Sequence, residues 1–250
     1  MTEFANTLRS WRRARRFSQL DLALEAGVSA RHISFLETGR ARPSADMIGR
    51  LSEALHLPMD ARNQMLTRAG FAARFKERAW DDAAMAPMRK AVGHMLDGHA
   101  PYPGLAVDAL WTVLRMNPPA AAMFGPLGVA EGGSLLDLMV SDHLPVLVEN
   151  WPEVAHHTAR RLRLESAAQG GIKRLDAVAD ALSRMPAPRA GSAGPVVPTI
   201  YRWGDRRLSL FSTIAQFGTP EDLLLDELRI ELFFPMDSET DMALRAMAQG

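Results

Sequence analysis

Residues 19–40 read QLDLALEAGVSARHISFLETGR, two helix-forming runs held apart by only Gly27-Val28-Ser29. That break constrains the chain more than any other feature. Gly27 supplies the left-handed residue that a helix C-terminus needs, and Ser29 can cap the next helix at once. Ser18 is the matching cap in front of Gln19. Residues 19–26 and 30–38 therefore read as two short helices meeting at a sharp corner. Val28 can plug that corner, and the small Ala23 lets the two helices approach closely. Helical spacing turns Ile33 and Leu36 inward and leaves Arg31, Ser34, Phe35 and Thr38 on the opposite side. The flanks continue the pattern. Leu8 and Trp11 give residues 3–16 a helical period. Ser44 caps residues 45–55, which stop before Pro58, and Asp60 caps residues 61–69, which stop at Gly70. Five short helices before residue 71 predict a small helical bundle.

Two helices joined by such a turn form a helix-turn-helix, which projects its second helix where it can enter the major groove. The charge pattern suits a polyanionic partner. The 250-residue chain is neutral overall, yet residues 1–71 hold eleven arginines, no lysine and seven acidic residues. The remainder cancels this excess of four positive charges. Arg9, Arg12, Arg13, Arg15 and Arg16 fall within one short stretch. A basic first part and an acidic second part predict two domains. A solvated, charged helix face would give the same local cluster.

Residues 8–70 resemble the Cro/repressor-type, or xenobiotic response element, helix-turn-helix family. The matching residues are Ser18-Gln19, Ala23, Gly27-Val28-Ser29, Ile33, Leu36-Glu37, Gly39-Arg40 and Pro43-Ser44. The resemblance implies roles residue by residue. Gln19 touches phosphate and braces the recognition helix. Arg31 can pair with guanine O6 and N7. Ser29 opens the recognition helix, and His32 and Ser34 reach base edges or phosphates. Phe35 can meet a thymine methyl. Arg40 holds a phosphate, as do some of Arg9, Arg12, Arg13 and Arg16. Ala30 stands where many relatives carry a polar base reader. Glu37 fits a structural ion pair better than a contact to cytosine. Such proteins bind as homodimers to palindromic double-stranded operators.

Residues 72–100 read as a linker with a connecting helix at 90–98. Beyond them, residues 105–107 and 111–116 read as strands around an Asp108-Ala109 turn. Asn117-Pro118 starts a short helix. Ser134 caps residues 135–140, a long helix covers 143–168 with Trp151 near its middle, and another covers 172–185. Residues 186–198 read as a loop. Residues 197–203, 208–217 and 228–234 read as strands, with Leu228, Ile230, Leu232 and Phe234 on one face, and 238–249 as a closing helix. This order predicts a mainly α chain whose α+β second domain is PAS-like, an antiparallel sheet with helices packed over one face. Residues 101–235 resemble the ligand-binding domain of MmyB-type regulators through Pro101-Tyr102-Pro103, Val107-Asp108, Trp111, Asn117, Trp151 and the Arg160–Arg163 run. The resemblance implies a cavity for a small apolar ligand such as a fatty acid, walled by Val107, Trp111, Met116, Met123, Phe124, Met139 and Trp151. Met and aromatic side chains suit an adaptable pocket, and the same side chains suit a plain core. His156, His157, Arg160 and Arg161 could meet an acidic head group or form a solvated helix face.

Composition removes other readings. A chain 47% hydrophobic and 23% charged is globular. The absence of cysteine excludes disulfides and thiolate chemistry. No apolar run approaches the roughly 18 residues of a membrane span, and the charged start lacks a signal-peptide core, so a cytoplasmic protein is expected. Among seven histidines, His94 and His99 flank Asp97 without an HExxH motif, so no metal site and no cofactor is expected. Gly191-Ser192-Ala193-Gly194 is not a nucleophile elbow, and no enzyme is expected. The combined expectation is a one-component bacterial transcription regulator. Residues 1–71 would bind DNA and residues 101–250 would bind ligand and carry the dimer contacts. The alternative is a second domain that serves only dimerisation or protein docking.

Overall fold

The structure is a computed structural model, and it describes residues 2–186, 196–218 and 220–248. The Gly191–Gly194 motif, most of the 186–198 loop and Gln249 lie outside these residues. The chain divides into two compact units. The first holds Met1–Glu77 with the short segments Ala167–Gly171 and Glu221–Asp226. The second holds Arg78–Ser166, Ile172–Pro220 and Glu227–Gly250.

The first unit carries α1 (Glu3–Ala14), α2 (Gln19–Glu25), α3 (Ala30–Thr38), α4 (Ala45–Ala54) and α5 (Met59–Arg68). Their starts follow local chemistry. Ser18 and Asp21 form a capping box on α2, and Ser29 and Ser44 accept backbone N–H bonds at the starts of α3 and α4. Gly39 ends α3 at φ +75°. Phe4, Leu8, Trp11, Leu22, Ile33, Leu36, Ile48 and Leu51 make one core. The start of α5 corrects the sequence reading. Pro58 takes the cap position without a side-chain bond, and Asp60 lies in the first turn, where its carboxylate accepts from Gln64.

The second unit is built on a five-stranded antiparallel sheet in the order β2-β1-β5-β4-β3. Its strands are β1 (Gly104–Val107), β2 (Val113–Met116), β3 (Thr199–Trp203), β4 (Arg206–Ala215) and β5 (Arg229–Pro235). This is the expected PAS-like arrangement. After α6 (Ala86–Gly98), its helices are α7 (Pro118–Phe124), α8 (Leu135–Met139), α9 (His143–Leu147), α10 (Trp151–Ala168), α11 (Lys173–Leu182) and α13 (Ser238–Met247), while α12 (Leu223–Glu227) falls almost wholly in the first unit's segment Glu221–Asp226. Asn117 does more than cap α7. It is fully buried, accepts from the Gly104 and Ala120 N–H groups, and donates to the Leu96 and Tyr102 carbonyls.

Three expectations change here. The sheet is covered on both faces. In the stretch expected to be a linker, α6 buries Val92 and Leu96 against Ala106, Leu228 and Ile230. The helix expected over 143–168 is two helices, with Val148 bridged to Tyr201 and the Glu149 N–H donating to the Ile200 carbonyl. Asn150 accepts from the Ile200 N–H and donates to the Pro198 carbonyl, so backbone that a helix would have used is committed to β3. Trp151 therefore opens α10, with Pro152 in the first turn, where proline is tolerated. Trp111 sits in the turn before β2 at φ +60° rather than on the strand.

Candidate DNA-reading face and ligand cavity

The recognition helix is fixed from beneath by one carboxylate. Glu37 is 1% exposed. Arg12 holds it with two parallel bonds, Nε to Oε1 at 2.6 Å and Nη2 to Oε2 at 2.9 Å. Gln19 Nε2 donates to Oε2 at 2.8 Å, and Arg9 Nη2 donates to the Glu37 carbonyl at 2.7 Å. Burial pushes the Glu37 carboxyl up, but the Arg12 and Gln19 bonds and the Arg12 and Arg9 charges outweigh it and hold it below the ordinary value of 4.5. This is the structural ion pair expected of Glu37. Of the four arginines of which some are expected at phosphate, Arg12 has its guanidinium spent on Glu37 and the Phe17 carbonyl.

The turn between α2 and α3 has a second fastening that no local pattern showed. Arg50, on α4, donates from Nε and Nη2 to the Ala26 carbonyl and from Nη2 to the Gly27 carbonyl. These are carbonyls that a helix end leaves without partners. Held this way, α3 turns Ile33, Leu36 and Glu37 inward. Arg31 is exposed, and its guanidinium lies 5.2 Å from the Phe35 ring centroid. His32, Ser34 and Phe35 are half-buried, while Ser29, Arg40, Arg13 and Arg16 are exposed. The Ser29 hydroxyl accepts from the His32 N–H as the helix cap.

The second unit encloses a cavity of about 280 Å³ between the sheet and helices α7, α8 and α10. Aromatic rings of Trp111, Phe124, Trp151, Tyr201, Phe211 and Phe233 dominate its wall. One end is charged and balanced. Arg161 reaches it from α10 over the Trp111 ring, 4.4 Å from the centroid. Arg161 Nε donates to Glu165 at 2.9 Å, and Nη1 pairs with Glu231 of β5. Trp111 Nε1 also donates to Glu165, which Arg229 flanks at 3.8 Å. Two donors of the wall are buried and, among the described residues, lack a hydrogen-bond partner: Trp151 Nε1 and Arg161 Nη2. Burial, and then the Glu231 charge, raises the Tyr201 phenol well above its ordinary value. Partial burial, then Arg160 and Arg161, holds His157 below the ordinary imidazole range.

A model of the MmyB-like transcription regulator ligand binding domain matches residues 88–247, and a helix-turn-helix model matches residues 8–61. The chain belongs to the MmyB-like transcription regulators. It is a DNA-binding transcription regulator, and both matched families are regulator domains rather than enzymes. No curated protein matches. A solved structure titled as an RNA-binding light-oxygen-voltage receptor aligns at 13% identity and a TM-score of 0.28, covering 100% of this chain and 63% of that one. No helix among the described residues is long and apolar enough to cross a membrane.

In this MmyB-like domain the cavity wall gathers five of the eight expected residues, Trp111, Phe124, Met139, Trp151 and Arg161. Val107 and Met123 are buried in the surrounding core and Met116 packs against it; none of the three is in the wall. His156 bonds to the Met185 carbonyl, and Arg160 is exposed. The sequence reading missed Glu231, Tyr201, Phe211 and Phe233. The β5 alternation does carry a signal for two of them. Its apolar set, Leu228, Ile230 and Leu232, packs with α6, so the cavity receives the other face, with Glu231 and Phe233.

Proposed function

We propose that this chain is a one-component regulator acting in the cytoplasm as a homodimer on a palindromic operator. A small apolar, fatty-acid-like molecule in the cavity modulates its DNA affinity. The observation that carries the DNA half is the outward face of α3, where Arg31 stands exposed against Phe35 on a helix clamped by Glu37 and Arg50. In this reading Arg31 pairs with guanine, Phe35 meets a thymine methyl, and Ser29, His32 and Ser34 reach adjacent edges or phosphates. Arg13, Arg40 and the start of α2 at Gln19 lie along phosphates. Residues 1–71 read the operator. Residues 101–250, with α6 packed on their sheet, hold the ligand and the dimer contacts. The ligand acts by population shift, preferring one arrangement of the dimer and so changing how the half-sites are met.

The test is selection of duplexes from a random pool by the full chain, followed by affinity measurement with and without small molecules extracted from the purified protein. The expected result is an enriched palindrome with half-sites about 10 base pairs apart, whose affinity changes when extract is added. A pool without enrichment refutes the DNA reading. An operator whose affinity ignores every extract and every alkyl probe leaves the second domain to dimerisation or docking alone.

A further inference from the structure

Trp151 Nε1 and Arg161 Nη2 are buried donors without a hydrogen-bond partner among the described residues, and both residues line the cavity. They stand far apart. Trp151 opens α10, just after Val148 bridges to Tyr201 of β3. Arg161 lies ten residues further along the same helix and pairs with Glu231 of β5. Ten residues of helix rise about 15 Å. The sheet order puts only β4 between β3 and β5, so those two strands lie about 10 Å apart. Helical side chains lean the same way along the axis, so their lean does not close the gap. The two donors are therefore separated by about 10–15 Å. Val154, His157 and Thr158 of α10, with Leu210 and Ser212 of β4, line the wall between them. Among the described residues, no polar atom of that stretch is buried without a partner.

Buried donors in native structures are almost always satisfied, and the cavity is what these two share. We infer that the ligand is an alkyl chain with a hydrogen-bond acceptor at each end, one met by Arg161 Nη2 and the other by Trp151 Nε1. This deepens, and rests on, the sensing reading above. A simple fatty chain has one polar end. It would leave the other donor against methylene groups, unbonded and cut off from water, which is costly. At the Arg161 end any carbonyl or carboxylate oxygen can accept. At the Trp151 end the donor is a single neutral N–H, which does not offset the water an ionised carboxylate would lose. The second acceptor is therefore an uncharged oxygen, that of a ketone, ester or ether. The cavity then measures the distance between two oxygens as well as the bulk of the chain that joins them.

The test is calorimetric titration of the full chain with dimethyl decanedioate, which carries an ester at each end, and with methyl decanoate, which carries one. The diester is expected to bind about tenfold more tightly. Trp151→Phe keeps an aromatic ring and removes the N–H, so in that variant the ratio should fall to about one. Methyl decanoate, whose one ester takes the stronger, charged donor of Arg161, should bind the variant as it binds the unsubstituted chain. Equal affinities in the unsubstituted chain would show that water serves the second donor; they overturn the inference and leave the sensing reading standing. A preference for the diester that survives Trp151→Phe places the second acceptor elsewhere and overturns it too. Should Trp151→Phe fail to fold, the two probes on the unsubstituted chain still decide. If neither probe binds, the alkyl-ligand reading fails and this inference fails with it.

Discussion

Arg31 and Glu37 lie six residues apart on one helix and do opposite work. Arg31 has its planar group laid along Phe35, which presets its direction before any base is met. Arg31→Ala should cost about 1–3 kcal/mol on the selected operator and flatten the preference at a single base position, read by competition binding against single-site operator variants. A uniform loss on every duplex would mean that Arg31 meets phosphate instead. Glu37 is buried with its charge matched, so Glu37→Gln strands the mostly buried Arg12 guanidinium and should destabilise the fold by about 3 kcal/mol. The pH dependence has a definite sign. The folded carboxyl titrates below its ordinary 4.5, so its stabilisation is complete above that value and is lost as pH falls through the lower folded value. Denaturation midpoints of the native chain and Glu37→Gln should therefore differ at pH 7 and converge on acidification below about 4.5. A gap that stays constant to acid pH would assign the loss to packing rather than to charge.

At the scale of the element, the turn between α2 and α3 and the end of α3 each rest on a left-handed glycine, but their surroundings differ. A Cβ on Gly39 meets nothing nearer than Thr2 at 3.8 Å, so Gly39→Ala should cost only the backbone strain, about 1 kcal/mol. A Cβ on Gly27 would stand 2.9 Å from Arg50 Nη2, which is bonded to the Ala26 and Gly27 carbonyls. Gly27→Ala should cost clearly more than Gly39→Ala, as measured by thermal unfolding, and should weaken DNA binding by loosening the clamp. Equal losses would show that Arg50 swings aside freely. The same elements show what a sequence exposes. Ser18, Ser29, Ser44 and Gly39 act on backbone within a few residues of themselves, so the first four helices are legible from the chain alone. The break at Val148–Asn150 is not, because it is imposed by Tyr201, Ile200 and Pro198 about fifty residues away. The cavity was half legible for the same reason. Trp111 and Trp151 declare themselves by size, whereas Glu231 becomes a cavity residue only once β5 has given its apolar face to α6.

At the scale of the whole molecule, a DNA reader and a cavity in one chain are useful to each other only through a coupling free energy, and such a coupling is reciprocal. If a cavity ligand changes operator affinity by some factor, operator must change that ligand's affinity by the same factor. Couplings of this kind typically run about 5–150-fold, well within the reach of calorimetry. The measurement is a closed cycle on the full chain at one fixed salt concentration, because phosphate contacts make every DNA affinity steeply salt-dependent. Operator is titrated with and without a saturating alkyl probe, then the probe with and without saturating operator. The expected outcome is two factors that agree within error and differ from one. An effect of the probe on DNA binding with no return effect would show that it perturbs the folded chain rather than selecting one of its states. Two factors of one, with the probe bound, would mean that the cavity is filled but silent. The second domain would then hold the dimer together, and its ligand would stabilise that assembly without reporting to the DNA.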